Sequence, residues 1–350
     1  MIRREAIKLI GKTALVVSIH KSSCTKTVAP APPTAYPSIP AGFFFKSDHY
    51  WNIKLPGTPE IDPQSDAIIA HYNGAGTIVY GECTMPYNVV NSKTQPLTFV
   101  KVMPFGGNAD YHDPATDQFP NGQGLIFQNG PYAADPNVDH HLLVADLATN
   151  RLYETYQLRQ DSGAWVQEGC AFFQCDAEVP RQLSVWEASS DAAGFAVLPG
   201  LIRRDEILRG VIPHALRITV RQTIKGYVAP ATHGASNPNA PVSPLDVPMG
   251  AQFWLKKTPS IQAANYDQYT APIITCLQDY GAYVADNGTN FGLSASFENL
   301  GPGDFPQFFK GYRSPDPTDN GTFHLTDNTG YDIQISDFEL IKMGPVQPLR

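Results

Sequence analysis

From about residue 41 the chain is written in short apolar runs broken by Gly, Pro, Asn and Asp. This is the pattern of many brief strands joined by structured loops. Residues 77–80 and 97–102 read as strands. The clearest signal is a hairpin, with strands over 141–146 and 151–158 around a turn at 147–150. Pairing Asp146 with Arg151 sets Leu143 opposite Glu154 and His141 opposite Tyr156. Side chains alternate faces along a strand, so His141, Glu154 and Tyr156 share one surface. A slip of one residue would put His140 there instead.

Residues 163–175, 214–221, 252–255, 282–288, 322–326 and 331–342 read as further strands. Along 214–221, Leu216, Ile218 and Val220 fall on one face, and Arg217, Thr219 and Arg221 on the other. Helical signals are few. Residues 267–280 carry Ile273, Ile274 and Leu277 on one face and end at Gly281; residues 205–210 make a single turn closed by Gly210. Long irregular stretches at 104–138, 186–212 and 230–249 are of the length that often walls a site. There is no internal repeat and no alternation of strands with long helices, which disfavours a parallel α/β sheet. The expected fold is mainly β: an antiparallel β-sandwich, jelly-roll-like, with long loops and one helix in the C-terminal half.

Composition sharpens this reading. Aromatic residues make up 11% of the chain, with 16 Tyr and 18 Phe. That supply suits strand cores and also surfaces that stack on sugar rings. The net charge is −8, and no Lys/Arg-rich run follows the first residues. Nucleic acid is therefore excluded as a partner, because neutralising phosphates needs a basic patch. No apolar run reaches the roughly 18 residues of a transmembrane helix.

The N-terminus reads as an export leader over residues 1–24. Arg3-Arg4, followed by Glu5, Ala6, Ile7 and Lys8, resembles the twin-arginine pattern, and a short apolar stretch follows at 14–19. Cys24 stands where a lipid anchor would attach, although Lys21 is wrong for a lipobox. Residues 25–40, rich in Pro, Ala and Thr, make a semi-rigid linker, and 41–350 form the β domain. The expected location is periplasmic, extracellular or cell-surface. An oxidising compartment permits bridges between Cys170 and Cys175 and between Cys83 and Cys276; four buried free thiols are the alternative.

The chain has no GxSxG, Walker A, HExxH, GxGxxG after a strand, or EF-hand loop. Its acids offer a different chemistry. A glycoside hydrolase needs two carboxyl groups flanking the scissile bond, one protonated and one ionised. Asp191 is the first candidate, because its loop of small residues admits a substrate. Glu154 follows, beside Tyr156 and His141, and then Asp205 and Glu206. His141, Tyr156, Arg203, His214, Arg217, His233, Asp286 and Trp186 are candidate substrate-binding residues. The favoured function is an exported hydrolase of a polysaccharide or oligosaccharide that requires no cofactor. A non-catalytic glycan-binding protein is one alternative, with aromatics on an open face and no close carboxylate pair. A metal enzyme is another, if His141, His214 and His233 converge on one ion. A lyase is a third, with a His base near Tyr156 and Arg203 or Arg217 neutralising a uronate. Each residue also has a plain structural role open to it: Asp at a turn, Glu in a salt bridge, His hydrogen-bonded, and Trp165, Trp186 and Trp254 in the core.

Several phrases resemble a family of secreted bacterial proteins. They are His140-His-Leu-Leu-Val-Ala-Asp146 with Leu152-Tyr-Glu-Thr-Tyr156, Ser190-Asp-Ala-Ala-Gly194 with Leu198-Pro-Gly-Leu-Ile-Arg203 and Asp205-Glu206, then His214-Ala-Leu-Arg217, Ala231-Thr-His233, Pro248-Met-Gly250 and Ala285-Asp-Asn-Gly288. The resemblance spans roughly residues 60–300. It implies a large extracellular β domain and carries no mechanism with it.

Overall fold

The computed structural model describes residues 38–348, apart from 75, 96, 105–117, 121–123, 129–138, 162, 178–190, 236–240, 297–307 and 314–320. The expected leader, Cys24, most of the linker, most of the 104–138 loop and Trp186 lie outside the described residues. In chain order the elements are α1 (Ser65–Asn73), β1 (Tyr80–Met85), β2 (Asn88–Val90), β3 (Phe99–Pro104), β4 (Gln118–Pro120), β5 (Leu142–Asp146), β6 (Arg151–Tyr156), β7 (Arg159–Asp161), β8 (Ala164–Gln167) and β9 (Gly169–Gln174). There follow α2 (Arg204–Arg209), β10 (Leu216–Val220), β11 (Gly226–Tyr227), β12 (Gln252–Leu255), α3 (Ala271–Asp279), β13 (Ala282–Asn287), β14 (Gly292–Ser296), β15 (Gly311–Arg313), β16 (Thr322–His324), β17 (Phe338–Leu340) and β18 (Gln347–Pro348).

The largest sheet has eight strands in the order β15-β16-β1-β14-β10-β13-β12-β17. Two four-stranded sheets, β2-β5-β6-β9 and β4-β3-β8-β7, and a two-stranded pair, β11-β18, complete the set. The fold is mainly β, as the pattern predicted, but its sheets are mixed where antiparallel ones were expected. β1 runs parallel to β14, β10 to β13, β2 to β5 and β3 to β8. A parallel pair needs a long crossover rather than a long helix. Between β10 and β13 the chain spends that length on two short strands, irregular loops and α3.

The core follows the alternation read from sequence. Leu216, Ile218 and Val220 of β10 pack with Ile273, Ile274 and Leu277 of α3, all buried. The hairpin register is the expected one: Asp146 pairs with Arg151 and Leu143 with Glu154. Asp267 marks the expected start of the α3 region by accepting the N–H groups of Tyr269 and Thr270 at 2.8 and 2.9 Å. Regular helix begins four residues on, with Pro272 in its first turn, where a missing N–H costs nothing. The turn expected at 205–210 is α2, stopped by Gly210 in the left-handed region at φ 75°. α1 was not foreseen. It buries Ile68, Ile69 and Tyr72.

The expected disulfides do not form: Cys83, Cys170, Cys175 and Cys276 are buried free thiols. For the local pair the reason is the strand period. Cys170 and Cys175 are an odd number of residues apart along β9 and its end, so they face opposite sides. Cys170 packs with Leu142 and Val144, whereas Cys175 packs with Leu143 and Phe173.

Candidate functional site

The predicted site residues separate into two buried charged clusters, joined by the segment 191–203. Three charges hold that segment. Asp191 Oδ1 accepts the N–H groups of Ala193 and Phe195 at 2.8 and 3.0 Å. Glu154, fully buried on β6, accepts Val197 N–H on one carboxylate oxygen and Leu198 N–H on the other, each at 2.8 Å. Arg203 donates to the carbonyls of Leu198 and Pro199 at 2.9 and 3.3 Å.

The first cluster is internally paired, and Arg203, Glu206 and His214 line one wall of a cavity of about 420 Å³. Arg203 and Glu206 form an ion pair at 2.5 Å, and His214 Nε2 lies 3.1 Å from the other Glu206 oxygen. His214 Nδ1 faces the Ala215 carbonyl at 2.8 Å. All three side chains are buried, and the Arg203 guanidinium lies over the Phe44 ring. Despite burial, the Arg203 guanidinium and the neighbouring His214 ring hold the Glu206 carboxyl below its ordinary value. Asp205 lies outside this core and pairs with Arg209 one helical turn on, at 2.7 Å. Arg203 thus neutralises Glu206, His214 lies against its other oxygen, and nothing in the arrangement favours Glu206 as an acid that exchanges protons with a substrate.

The second cluster is open. Arg217 of β10 donates to Asp191 Oδ2 at 3.2 Å and to Ser294 Oγ of β14 at 3.1 Å. The β10–β13 register skips Ala285: Ile218 pairs with Val284, and Thr219 with Asp286. This bulge brings Asp286 onto the face that Arg217 shares with Tyr283; bulges commonly re-aim a side chain in this way. Asp286 stays partly exposed even though protein surrounds it. That burial raises its carboxyl to about 7, Arg217 opposes the rise, and Asp191 and Asp139 add to it.

Across this cluster stands the hairpin. The His141 ring lies 5.2 Å from the Tyr156 ring, as the register predicted. Burial lowers the His141 imidazole to about 4, so it is neutral at pH 7. Tyr156 hydrogen-bonds Asp139, and Asp139 also acts electrostatically on His141 and Asp286. Tyr50 completes the group. Its hydroxyl senses Asp191 and Glu154, and its ring packs against Phe195 and Tyr283. Asp139, Asp286, Tyr50 and Tyr156 are where the cluster meets solvent. His233 sits at its margin, with Nδ1 2.9 Å from the Ala192 carbonyl.

Of the predicted residues, Asp191, Arg217, Asp286, His141 and Tyr156 therefore come together, with Glu154 behind them and His233 beside them. Arg203, Glu206, Asp205 and His214 go elsewhere. Glu154 and Asp191 both serve as acceptors for backbone N–H groups, which suits anchors better than acids. His141, His214 and His233 are dispersed, and no three His, Cys, Asp or Glu side chains among the described residues stand as a metal-ligand set. Trp254 is in the core, its indole N–H bonded to the Gln278 carbonyl at 2.8 Å. Sequence reasoning did not single out Asp139, Tyr50, Tyr283 or Ser294. Asp139 was visible as the residue just before His140, at the entry to the hairpin. The other three have no local signal, because long-range pairing alone brings them in. Compared with family models, with curated proteins and with solved structures, the chain matches none of them.

Proposed function

We propose that this protein is an exported glycan-cleaving hydrolase whose general acid is Asp286. The observation that supports this reading is a carboxyl group, partly open to solvent, whose proton is held to about pH 7 beside two further carboxylates. A carboxylic acid that stays protonated near neutrality is what glycosidic cleavage asks of its acid. In the reaction, Asp286 gives its proton to the glycosidic oxygen as the bond to the anomeric carbon breaks. Water adds to that carbon and loses a proton to a second carboxylate, for which we assign Asp139. Arg217, held by Asp191 and Ser294, stabilises the Asp286 carboxylate that remains. Tyr50 and Tyr156 supply ring faces for the sugar. We read the sheets that carry these residues as a β-sandwich, and the sequence phrases as those of the secreted bacterial family they resemble.

A lyase is less well supported. It wants an available cation for a uronate carboxylate, whereas Arg203 and Arg217 are both buried and already paired with Glu206 and Asp191.

The test is a polysaccharide panel assayed for new reducing ends. Asp286→Asn should lower the rate about 10²- to 10⁴-fold, the usual contribution of a general acid. Absence of release across the panel by the wild type, or undiminished release by Asp286→Asn, would refute the hydrolase reading.

A further inference from the structure

Asp286 lies at one end of a row of residues that crosses the eight-stranded sheet at right angles to its strands. The registers fix the row strand by strand: Asp286 of β13 pairs with Thr219 of β10, Thr219 with Gly292 of β14, Gly292 with Tyr80 of β1, and Tyr80 with His324 of β16. Cross-strand partners share a face. Cys83, Ile218, Leu293 and Phe323, which alternate with the row along the same strands, fill the core. The row therefore lies on the opposite face, with Arg217 and Ser294. Asp286, Thr219, Tyr80 and His324 are each partly exposed there. Between them the turn after β13 brings in Thr289, which fits because residue 292 is glycine: a Cβ on Gly292 would meet the hydroxyls of Thr289 and Thr219 at 2.9 and 3.0 Å. Thr219 Oγ donates to the Thr289 carbonyl at 2.7 Å, and Thr289 Oγ donates to Glu82 at 3.1 Å. The Tyr80 hydroxyl is hydrogen-bonded to the same two side chains, Thr289 and Glu82. A strip of fixed hydroxyl, carboxylate and ring groups thus runs from Asp286 to His324.

Neighbouring strands lie about 4.8 Å apart, so Tyr80 stands roughly 14 Å and His324 roughly 19 Å from Asp286 across the sheet. One pyranose unit advances a glycan chain by about one such spacing. Resting on the hydrolase reading, we infer that the substrate is a chain of at least four sugar units, laid across the strands from Asp286 to His324, and not a mono- or disaccharide. Thr219, Thr289 and Glu82 meet its hydroxyl groups. The Tyr80 ring stacks on the third unit from the cleaved bond, and His324 meets the fourth. Because Glu82 and Thr289 already hold the Tyr80 hydroxyl, the ring loses little freedom when the chain binds.

Binding tests this separately from cleavage. The full chain, as wild type and as Asp286→Asn to hold the substrate intact, would be run in affinity electrophoresis against the polysaccharide panel. Oligosaccharides of two to six units, cut from any polymer that retards it, would serve as competitors. At least one polymer should retard the protein, and competitor affinity should rise through at least four units. Tyr80→Ala should weaken binding of that polymer and of the longer competitors about tenfold, the scale of a well-placed aromatic anchor, and leave the disaccharide unchanged. His324→Ala should cost less, about threefold, on the same ligands. Tyr80→Phe keeps the ring and should bind nearly as the parent does. Phe99→Ala, which removes an exposed aromatic from the sheet β4-β3-β8-β7, should change nothing. Thermal melts check that each variant is folded. Failure of every polymer to retard the wild type, polymer binding indifferent to both Tyr80→Ala and His324→Ala, or a loss as large for the disaccharide as for the hexasaccharide would overturn the inference. Length-dependent binding without any new reducing ends would sustain it and would count against the hydrolase reading alone.

Discussion

The two buried charged clusters use the same kinds of group to opposite ends. Around Glu206 the carboxylate is met on both oxygens, by the Arg203 guanidinium on one and the His214 ring on the other, and the carboxyl is held down. Around Asp286, among the described residues, Asp191 and Asp139 stand beside one cation, Arg217, and burial holds the carboxyl up to about 7. Both environments are desolvated, so burial pushes both acids in the same direction. The difference lies in the partners. A compensated buried charge locks the fold, whereas an under-compensated one that still reaches solvent keeps a proton that it can give away. This is why the two clusters, equally prominent in the sequence, are assigned different work.

The sharpest way to break this contrast is to neutralise each acid in turn. Asp286→Asn should cost the largest effect, the 10²- to 10⁴-fold loss of cleavage described above, with the fold retained by circular dichroism. Glu206→Ala should act the other way round. It strands Arg203 and His214, and breaking a buried ion pair typically costs about 3–5 kcal/mol. Denaturant midpoints should show that loss, while the cleavage rate per folded molecule stays near that of the wild type. Glu154→Ala removes the acceptor of two backbone N–H groups and should cost about 3 kcal/mol by the same measurement. Glu154→Gln, which keeps one acceptor, should recover part of it.

The pH dependence is the most diagnostic. The Asp286 carboxyl is raised in the folded state from an ordinary 3.8 to about 7. Its contribution to stability is therefore fully present below about pH 4 and is lost as pH rises through 7. Glu206 is lowered from 4.5, so its contribution is present above that value and is lost as pH falls through its folded value. Thermal melts should show Asp286→Asn gaining on the wild type at pH 8, with the gain shrinking by pH 5. Glu206→Gln should lose most at pH 7, and the loss should shrink toward pH 3.

Local features of this fold were legible in the sequence. The 141–158 hairpin, its register, the faces of β10 and the Gly210 stop all rest on periodicity or turn chemistry within a few residues, whereas the helix expected from Asp267 begins at Ala271. What could not be read is what long-range pairing decides. Parallel neighbours such as β10 and β13 are separated by about sixty residues holding two short strands, loops and α3, and nothing local announces their direction. The bulge at Ala285 is equally silent, yet it turns Asp286 toward Arg217. Charge pairing was the other obstacle. Asp191 ranked first by its small-residue loop, ahead of Glu154 and Glu206, yet only their partners separate an anchor from a proton donor. The same limit hid Tyr50 and Ser294, which enter the site from opposite ends of the chain.

The account stands most directly on the protonation of Asp286. Carboxyl ¹³C NMR of aspartate-labelled protein, with Asp286→Asn to assign the resonance, measures it without any substrate. The expected result is a titration centred near pH 7, moving further up when Arg217 is replaced by Met in a variant that remains folded. A carboxyl that titrates near its ordinary value of 3.8 would contradict the assignment of Asp286 as the acid.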